Sequence, residues 1–344
     1  MTINSPISRL TIAPMISSKR ARFLLVGTTL LAVTACTATG CRPRVSEAVE
    51  ADPVPVAEAE EPVWPLTITD DLGSTVTLNA PPERIVSLSP AVTEMLFAVG
   101  AGDRVVGRTS YCDYPPEALE VPEVGTFTTP STERVLELQP DLCIGVRGVS
   151  KDSIQALRSV GLRVIAYDPS GVEKALGIME RLGHLMQDKP SAVPVVDDLR
   201  ARVEAVRVAG LELPRKPRIL VGVQFEPLYA AGPGTHIHDM IEIAGGENTG
   251  ADSEMLWPQY SLERMVENDP EVIVGTPSMG DYSEEGFLEF LSGLDGWDAT
   301  TAVREGNAIM VADDILTLPG PRMVDGLEEL AAIINDVARE VTAQ

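Results

Sequence analysis

Two stretches decide the fold: "STERVLELQPDLCIGV", from Ser131 to Val146, and "SLERMVENDPEVIVGT", from Ser261 to Thr276. They align without a gap. Ser131 and Ser261, Glu133 and Glu263, Arg134 and Arg264, Glu137 and Glu267, Pro140 and Pro270, and Gly145 and Gly275 all fall in register. Each copy parses into a serine able to cap a helix start, one or two helical turns, a proline that cannot continue them, and a short apolar run of buried-strand character. The spacing is far too long for a solenoid, whose repeats run about 20–50 residues. It predicts two similar lobes, each holding this helix and strand at the same place.

The flanking sequence extends the pattern. "ERIVSLSP" (83–90) reads as a buried strand followed by Ser89 as cap and Pro90 at the first helical position, with a helix through Val99 that stops at Gly100. "DRVVGRTSYC", "DLCIGV" and "LRVIAYDP" are further short strands separated by helical stretches. In the second half, "RILVGVQF", "EVIVG" and "AIMVA" read as strands. "THIHDMIEIAGG" reads as a helix capped by Thr235 and stopped at Gly245, and an amphipathic helix from about Met323 to Val341 closes the chain. Strands alternating with helices imply parallel sheets covered on both faces, an α/β protein with two Rossmann-like lobes. Between them, Val196, Leu199, Val203 and Val206 recur at helical spacing. This segment reads as a single long connecting helix, or as a surface helix of the first lobe.

The expected organisation is a signal over 1–35, a tether over 36–62, a first lobe over 63–190, a connecting helix over 191–212 and a second lobe over 213–344. Lys19, Arg20 and Arg22 precede an apolar stretch from Phe23 to Ala35, too short to span a bilayer, that has the form of an export signal. It ends "VTAC" at Cys36, like the bacterial lipoprotein signal in which that cysteine is lipidated; an ordinary cleaved signal is the alternative, and Cys41 is a second candidate site. The following Pro-, Glu- and Ala-rich segment lacks the large apolar groups needed to fold. The chain of 344 residues carries a net charge of −24, and removing residues 1–35 takes away four basic residues and no acids, leaving −28. So acidic a body is repelled by nucleic acid and by anionic headgroups, and a partner surface for it is basic. Cys112 and Cys143 could pair in an oxidising compartment, though spacing does not supply the geometry.

Signals for catalysis are thin. Nucleophile-elbow, zincin, Walker and dinucleotide motifs are all missing from the sequence. His236 and His238 lie two apart at a helix start, which places them on different sides of the helix, and His184 lies far off; all three read as solvent-facing, and no metal site is expected. Aromatics beside turn-forming residues are more informative: Tyr111 and Tyr114 in "SYCDYPPEA", Phe127 in "VGTFTTPSTER", Phe225 and Tyr229 in "QFEPLYAAG", Trp257 and Tyr260 in "EMLWPQYSLER". Ligands of open parallel sheets lie beyond the carboxyl ends of the strands, so these aromatics are candidates for a cleft between lobes, although about half could cap a core beneath loops. Phe127 and Trp257 stand just upstream of the same repeated unit and should face each other. Glu133 and Glu263 sit in first helical turns, where the helix dipole favours them, and could also form two negative knobs for arginine pockets.

"RIVSLSPAVTEMLFAVGAGDRVVGRTSYCDYPPEA", the "STERVLELQPDL" unit and "AGGENTGADSEMLWPQYSLERMVENDPEVIV" resemble the substrate-binding proteins of ABC importers for cobalamin, siderophores and haem, across roughly residues 82–342. "SYCDYPPEA" with "WPQYSLE" resembles the cobalamin branch. The resemblance implies a monomeric, non-enzymatic receptor, anchored to the membrane by lipid on Cys36, with two lobes, modest hinge motion and a ligand held between them. It implies a ligand set of Tyr111, Phe127, Val146, Arg147, Phe225, Tyr229 and Trp257, and docking of Glu133 and Glu263 onto arginines of a permease. Val146 and Phe127 stand where relatives carry tryptophan. Both changes shrink the aromatic surface and leave the cargo open between cobalamin and another corrinoid, such as a cobinamide. A ferric-siderophore or haem receptor is the alternative within the family, for which Arg108, Arg147 and Arg322 could each contribute singly. A metal-dependent two-domain enzyme and a partner-binding scaffold are the readings from outside it.

Overall fold

The computed structural model describes residues 63–187, 189–279 and 282–340, all within one compact unit, Glu58–Gln344. The export signal, Cys36, Cys41 and the tether lie outside the described residues. The first lobe opens with an antiparallel hairpin, β1 (Leu66–Thr69) and β2 (Thr75–Leu78). It continues β3 (Ile85–Ser87), α1 (Pro90–Ala98), β4 (Val105–Gly107), α2 (Thr132–Glu137), β5 (Leu142–Val146), α3 (Lys151–Ser159), β6 (Val164–Tyr167) and α4 (Val172–Met186). Strands β4-β3-β5-β6 form a wholly parallel sheet.

After α5 (Lys189–Leu211), the second lobe runs β7 (Arg218–Phe225), β8 (Leu228–Ala230), α6 (His236–Ile243), β9 (Glu247–Asn248), α7 (Leu262–Asn268), β10 (Val272–Gly275), α8 (Glu284–Ser292), α9 (Thr301–Glu305), β11 (Ala308–Met310), α10 (Asp313–Leu316) and α11 (Met323–Glu340). β11, β10, β7 and β9 pair in parallel. β8 does not follow the expected pattern. The chain reverses across Glu226-Pro227 and pairs β8 antiparallel to β7, with Phe225 opposite Leu228. A two-residue connection can join only antiparallel neighbours.

Alternate strand residues serve opposite faces, as a period of two requires. Ile85, Ile144 and Ile165 of the first lobe, with Ile219, Val221 and Val274 of the second, join one continuous core that also holds Val196, Leu199 and Val203 of α5. The intervening residues face outward cores: Val86, Cys143 and Val164 in the first lobe, Leu220 and Ile273 in the second. The two lobes therefore share buried apolar surface beneath the cleft. α5 is tied to both of them by charge as well. Arg200 pairs with Glu173 and Glu180 of α4, while Arg202 pairs with Asp325 and Glu328 of α11. That double attachment decides against a simple surface helix of the first lobe. Cys112 and Cys143 are both free and buried; Cys143 lies in the outward core, and Cys112 Sγ is 3.2 Å from Thr109 Oγ1.

Candidate functional site

The repeated unit is capped as its sequence predicts. Ser131 accepts a hydrogen bond from the Arg134 amide at 3.3 Å, and Ser261 accepts one from the Arg264 amide at 3.2 Å. Both helices stop at a left-handed residue before the proline, Gln139 with φ 47° and Asp269 with φ 40°. Each lobe then fastens that helix end with an arginine at the start of a parallel strand, Arg84 just ahead of β3 and Arg218 as the first residue of β7. Arg84 Nε donates to the carbonyls of Leu138 and Gln139, and Arg218 Nε donates to those of Asn268 and Asp269. A carboxylate completes each clamp: Asp141 accepts from the Arg84 amide, and Glu271 accepts from the Arg218 amide. The sequence reading missed Arg84 and Arg218 as a pair because they precede the repeat and lie outside its gapless register.

On the outside of these clamped units, Glu133, Leu136 and Glu137 are exposed on α2, and Glu263, Val266 and Glu267 are exposed at the same helical positions on α7. Among the described residues neither Glu133 nor Glu263 forms an ion pair.

The opposite ends of the sheets meet at a cavity of about 740 Å³. The first lobe contributes the carboxyl end of β5 (Val146, Arg147, Gly148), that of β6 (Asp168 to Ser170), the start of α1, and loop residues Tyr111, Asp113 and Phe127. The second contributes Leu256, Trp257, Ser278, the start of α6, and α10 with the segment after it. Phe127 and Trp257, in the same register, thus both line the cavity. Trp257 is 39% exposed and Tyr111 67%, whereas Phe127 is half-buried against two cores. Phe127 lies over Gly148, where φ is +117° and a Cβ would come within 2.8 Å of the ring. Val146 is almost fully buried, so it closes the floor and offers no aromatic face.

Two of the expected aromatics are elsewhere. Phe225 is 7% exposed and packs edge-on against Phe287 and Phe290 beside Trp297, inside the outward core of the second lobe. Tyr229 lies on β8, where it bridges to Gln259. Neither lines the cavity, because the antiparallel hairpin turns the "QFEPLY" segment back along the sheet instead of over its end.

The walls carry more charge than expected. Arg147 pairs with Asp168 at 2.6 Å, while Asp168 Oδ1 is buried without a hydrogen-bond partner among the described residues. Asp313 accepts from the Ser278 amide at 2.8 Å. Behind Asp314, Arg322 pairs with Asp314 at 3.1 Å and with Glu94 of α1 at 2.6 Å, and stacks on Tyr114 with 3.9 Å to the ring centre. The Glu94–Arg322 pair joins the lobes, and burial pushes the Glu94 carboxyl above its ordinary range despite that partner. A second strap is Asp239 of α6, which accepts from the Val172 amide at the start of α4. Arg108 is buried and donates to its neighbour's carbonyl, away from the cavity lining.

His236 corrects another expectation. It is 5% exposed, lines the cavity, and donates from Nε2 to the Leu316 carbonyl. Burial lowers its pKa to about 4, so it is neutral at neutral pH. Its position at N1 of α6 turns it inward, while His238 is half-buried and meets Asn248 through Nδ1. Asp168, Asp313 and Asp314 were also missed, although each follows a strand end, where the parallel-sheet rule places ligands. Among the described residues, no group of three or more His, Cys, Asp or Glu side chains could hold a metal, and no helix is long and apolar enough to cross a membrane.

Residues 85–314 match the family described as periplasmic binding protein. The uncharacterized ABC transporter substrate-binding lipoprotein YvrC of Bacillus subtilis (strain 168) is 29% identical over 83% of this chain and 90% of its own length. The crystal structure of the periplasmic vitamin B12 binding protein BtuF of Vibrio cholerae superposes with a TM-score of 0.65 at 28% identity, covering 75% of this chain and 98% of that one. An ABC-type Fe3+-hydroxamate transport system protein from Saccharomonospora viridis superposes with a TM-score of 0.64 at 29% identity, covering 79% and 99%.

Proposed function

Because the chain belongs to the periplasmic binding protein family, whose members bind cargo for transporters rather than catalyse, we propose that it captures a corrinoid, cobalamin or a relative such as a cobinamide, and delivers it to an ABC importer. The observation that carries this reading is the pair Phe127 and Trp257, one from each lobe at the same place in the repeat, both lining a cavity of about 740 Å³. That volume lies in the upper part of the range of about 300–1,000 Å³ for small-molecule sites. Flat apolar faces from Tyr111, Phe127 and Trp257 suit a macrocycle; Arg147, Asp168 and the amides at the start of α6 suit its polar arms.

Glu133 and Glu263 are the proposed contacts to two arginine-bearing permease subunits, supported by their exposure at equivalent positions. Cys36 is the proposed lipidation site, and the segment 36–62 the tether that lets an anchored receptor reach its transporter.

The test is isothermal titration of the body from residue 61 onward with cyanocobalamin, then a cobinamide, with a ferric siderophore as control. Saturable one-to-one corrinoid binding that Trp257→Ala weakens supports the reading. Binding of the iron chelate alone moves the protein to the siderophore branch.

A further inference from the structure

The cavity wall is unbalanced in charge. Among the described residues that line it, four carboxylates (Asp113, Asp168, Asp313 and Asp314) face one guanidinium, Arg147. His236 adds nothing, since it is buried and neutral. Arg322, behind Asp314, is matched by Glu94. Lys174 holds the rim residue Ser170 through Nζ, and counting it still leaves the acids in excess. Two of the carboxylates have no cationic partner: Asp313 accepts only a backbone amide, and Asp113 is exposed on the loop that carries Tyr111. The Oδ1 of Asp168 is buried without a hydrogen-bond donor among the described residues, so the one acid that Arg147 pairs with is itself only half satisfied.

We infer that the cleft selects a cationic or neutral macrocycle and rejects anionic ones, so that within the corrinoid reading, on which this rests, the favoured cargo is a corrinoid of net positive charge. The charge balance of the ligands makes this concrete. Cobalt(III), with one charge removed by the corrin and one by a cyanide, leaves aquocyanocobinamide a monocation. A second cyanide makes dicyanocobinamide neutral, and in cyanocobalamin the nucleotide phosphate has the same neutralising effect. Haem, with two propionates, and ferric tricatecholates are anions. A cleft with one sign of charge concentrates the opposite sign and repels its own.

The test is titration of the purified protein with aquocyanocobinamide and with dicyanocobinamide, which share the corrin and its amide arms. A tetracationic N-methylpyridyl porphyrin and a tetrasulfonated porphyrin serve as a second pair, alike in shape and opposite in charge. At low ionic strength the cation of each pair should bind about tenfold or more tightly. Most of that margin should vanish when salt shortens the screening length to about 3 Å. Asp113→Asn with Asp313→Asn should remove the same margin with the melting temperature kept, since an asparagine Oδ1 can still accept from Ser278. Equal affinities within both pairs, or a preference for the anions, overturn the inference. If neither cobinamide binds but the cationic porphyrin outbinds the anionic one, the corrinoid reading falls and the charge selection stands.

Discussion

The two lobes are alike where they are clamped and unlike where they meet. Ser131 and Ser261, Gln139 and Asp269, Asp141 and Glu271, Arg84 and Arg218 repeat one device at helix α2 and helix α7. At the cavity the counterparts diverge: Phe127 stands against Trp257 and the start of α1 (Ser89-Pro90) against that of α6 (Thr235-His236), while Val146 and Arg147 line it and their counterparts Thr276 and Pro277 do not. The difference separates two constraints. The clamp fixes a backbone path with carbonyls and amides, which any sequence offers, so the same arginine and carboxylate serve twice. On the proposed function the cavity fits one asymmetric ligand, which two identical walls would not.

The largest expected contrast lies at the helix starts. Pro90 cannot titrate, but His236 is held with its pKa at about 4 against an ordinary 6.5. Between those values the unfolded chain binds a proton that the folded chain refuses. The stability involved is complete above about pH 6.5 and is lost as pH falls toward 4, by about 3 kcal/mol in all. Denaturant unfolding of the protein and of His236→Gln at pH 7 and pH 4 measures it, and the variant should lose less over that range. Parallel losses would show that His236 is not neutral in the fold.

The clamps come next. Arg218 carries ionic partners that Arg84 lacks, Asp269 at 3.2 Å and Glu271 at 3.4 Å, and Glu271 is mostly buried. Arg218→Ala should therefore cost about 2 kcal/mol and Arg84→Ala about 1, the latter having mainly carbonyl hydrogen bonds to lose. Unfolding midpoints decide it. Equal costs would mean that the ionic partners of the second clamp contribute nothing.

The aromatic pair should split by readout. Phe127 is wedged between two cores over Gly148, so Phe127→Ala should lower stability by about 1–2 kcal/mol and also weaken the ligand. Trp257 is partly exposed, so Trp257→Ala should leave the melting temperature nearly unchanged and weaken the ligand about tenfold or more. A large stability loss at Trp257 would make it a packing residue instead.

How far the sequence could be read follows the same divide. The repeat, the caps at Ser131, Thr235 and Ser261, the parallel strands and α5 depend on local chemistry and periodicity, which a sequence displays directly, whereas Ser89 precedes α1 without a side-chain capping bond. Phe127 and Trp257 were legible because the repeat carried them to equivalent places. Phe225 and Tyr229 misled because "QFEPLY" holds a turn that sends β8 back beside β7, and strand direction is settled by pairing partners far along the chain. His236 was misread because its burial depends on α10, 80 residues later, whose Leu316 carbonyl accepts a hydrogen bond from its Nε2–H. The cleft's excess of acid was hidden for a similar reason. Asp113, Asp168 and Asp313 are far apart in sequence and become neighbours of one cavity only through the topology.

The smallest contrast tests the symmetry itself. Ser131 and Ser261 make the same capping bond at nearly the same length, so Ser131→Ala and Ser261→Ala should each cost about 1 kcal/mol and leave ligand affinity unchanged. Their local consequences should differ. α7 has a second brace, because the Arg264 guanidinium pairs with Asp252 and lies over the Tyr260 ring, whereas Arg134 reaches only the Glu123 carbonyl at 3.5 Å. Hydrogen exchange at the Arg134 amide should therefore accelerate more in Ser131→Ala than exchange at the Arg264 amide does in Ser261→Ala. Equal acceleration would mean that the Arg264 side chain does not hold the helix start. The exposed Glu263 would then be no better fixed than Glu133 for whatever surface it meets.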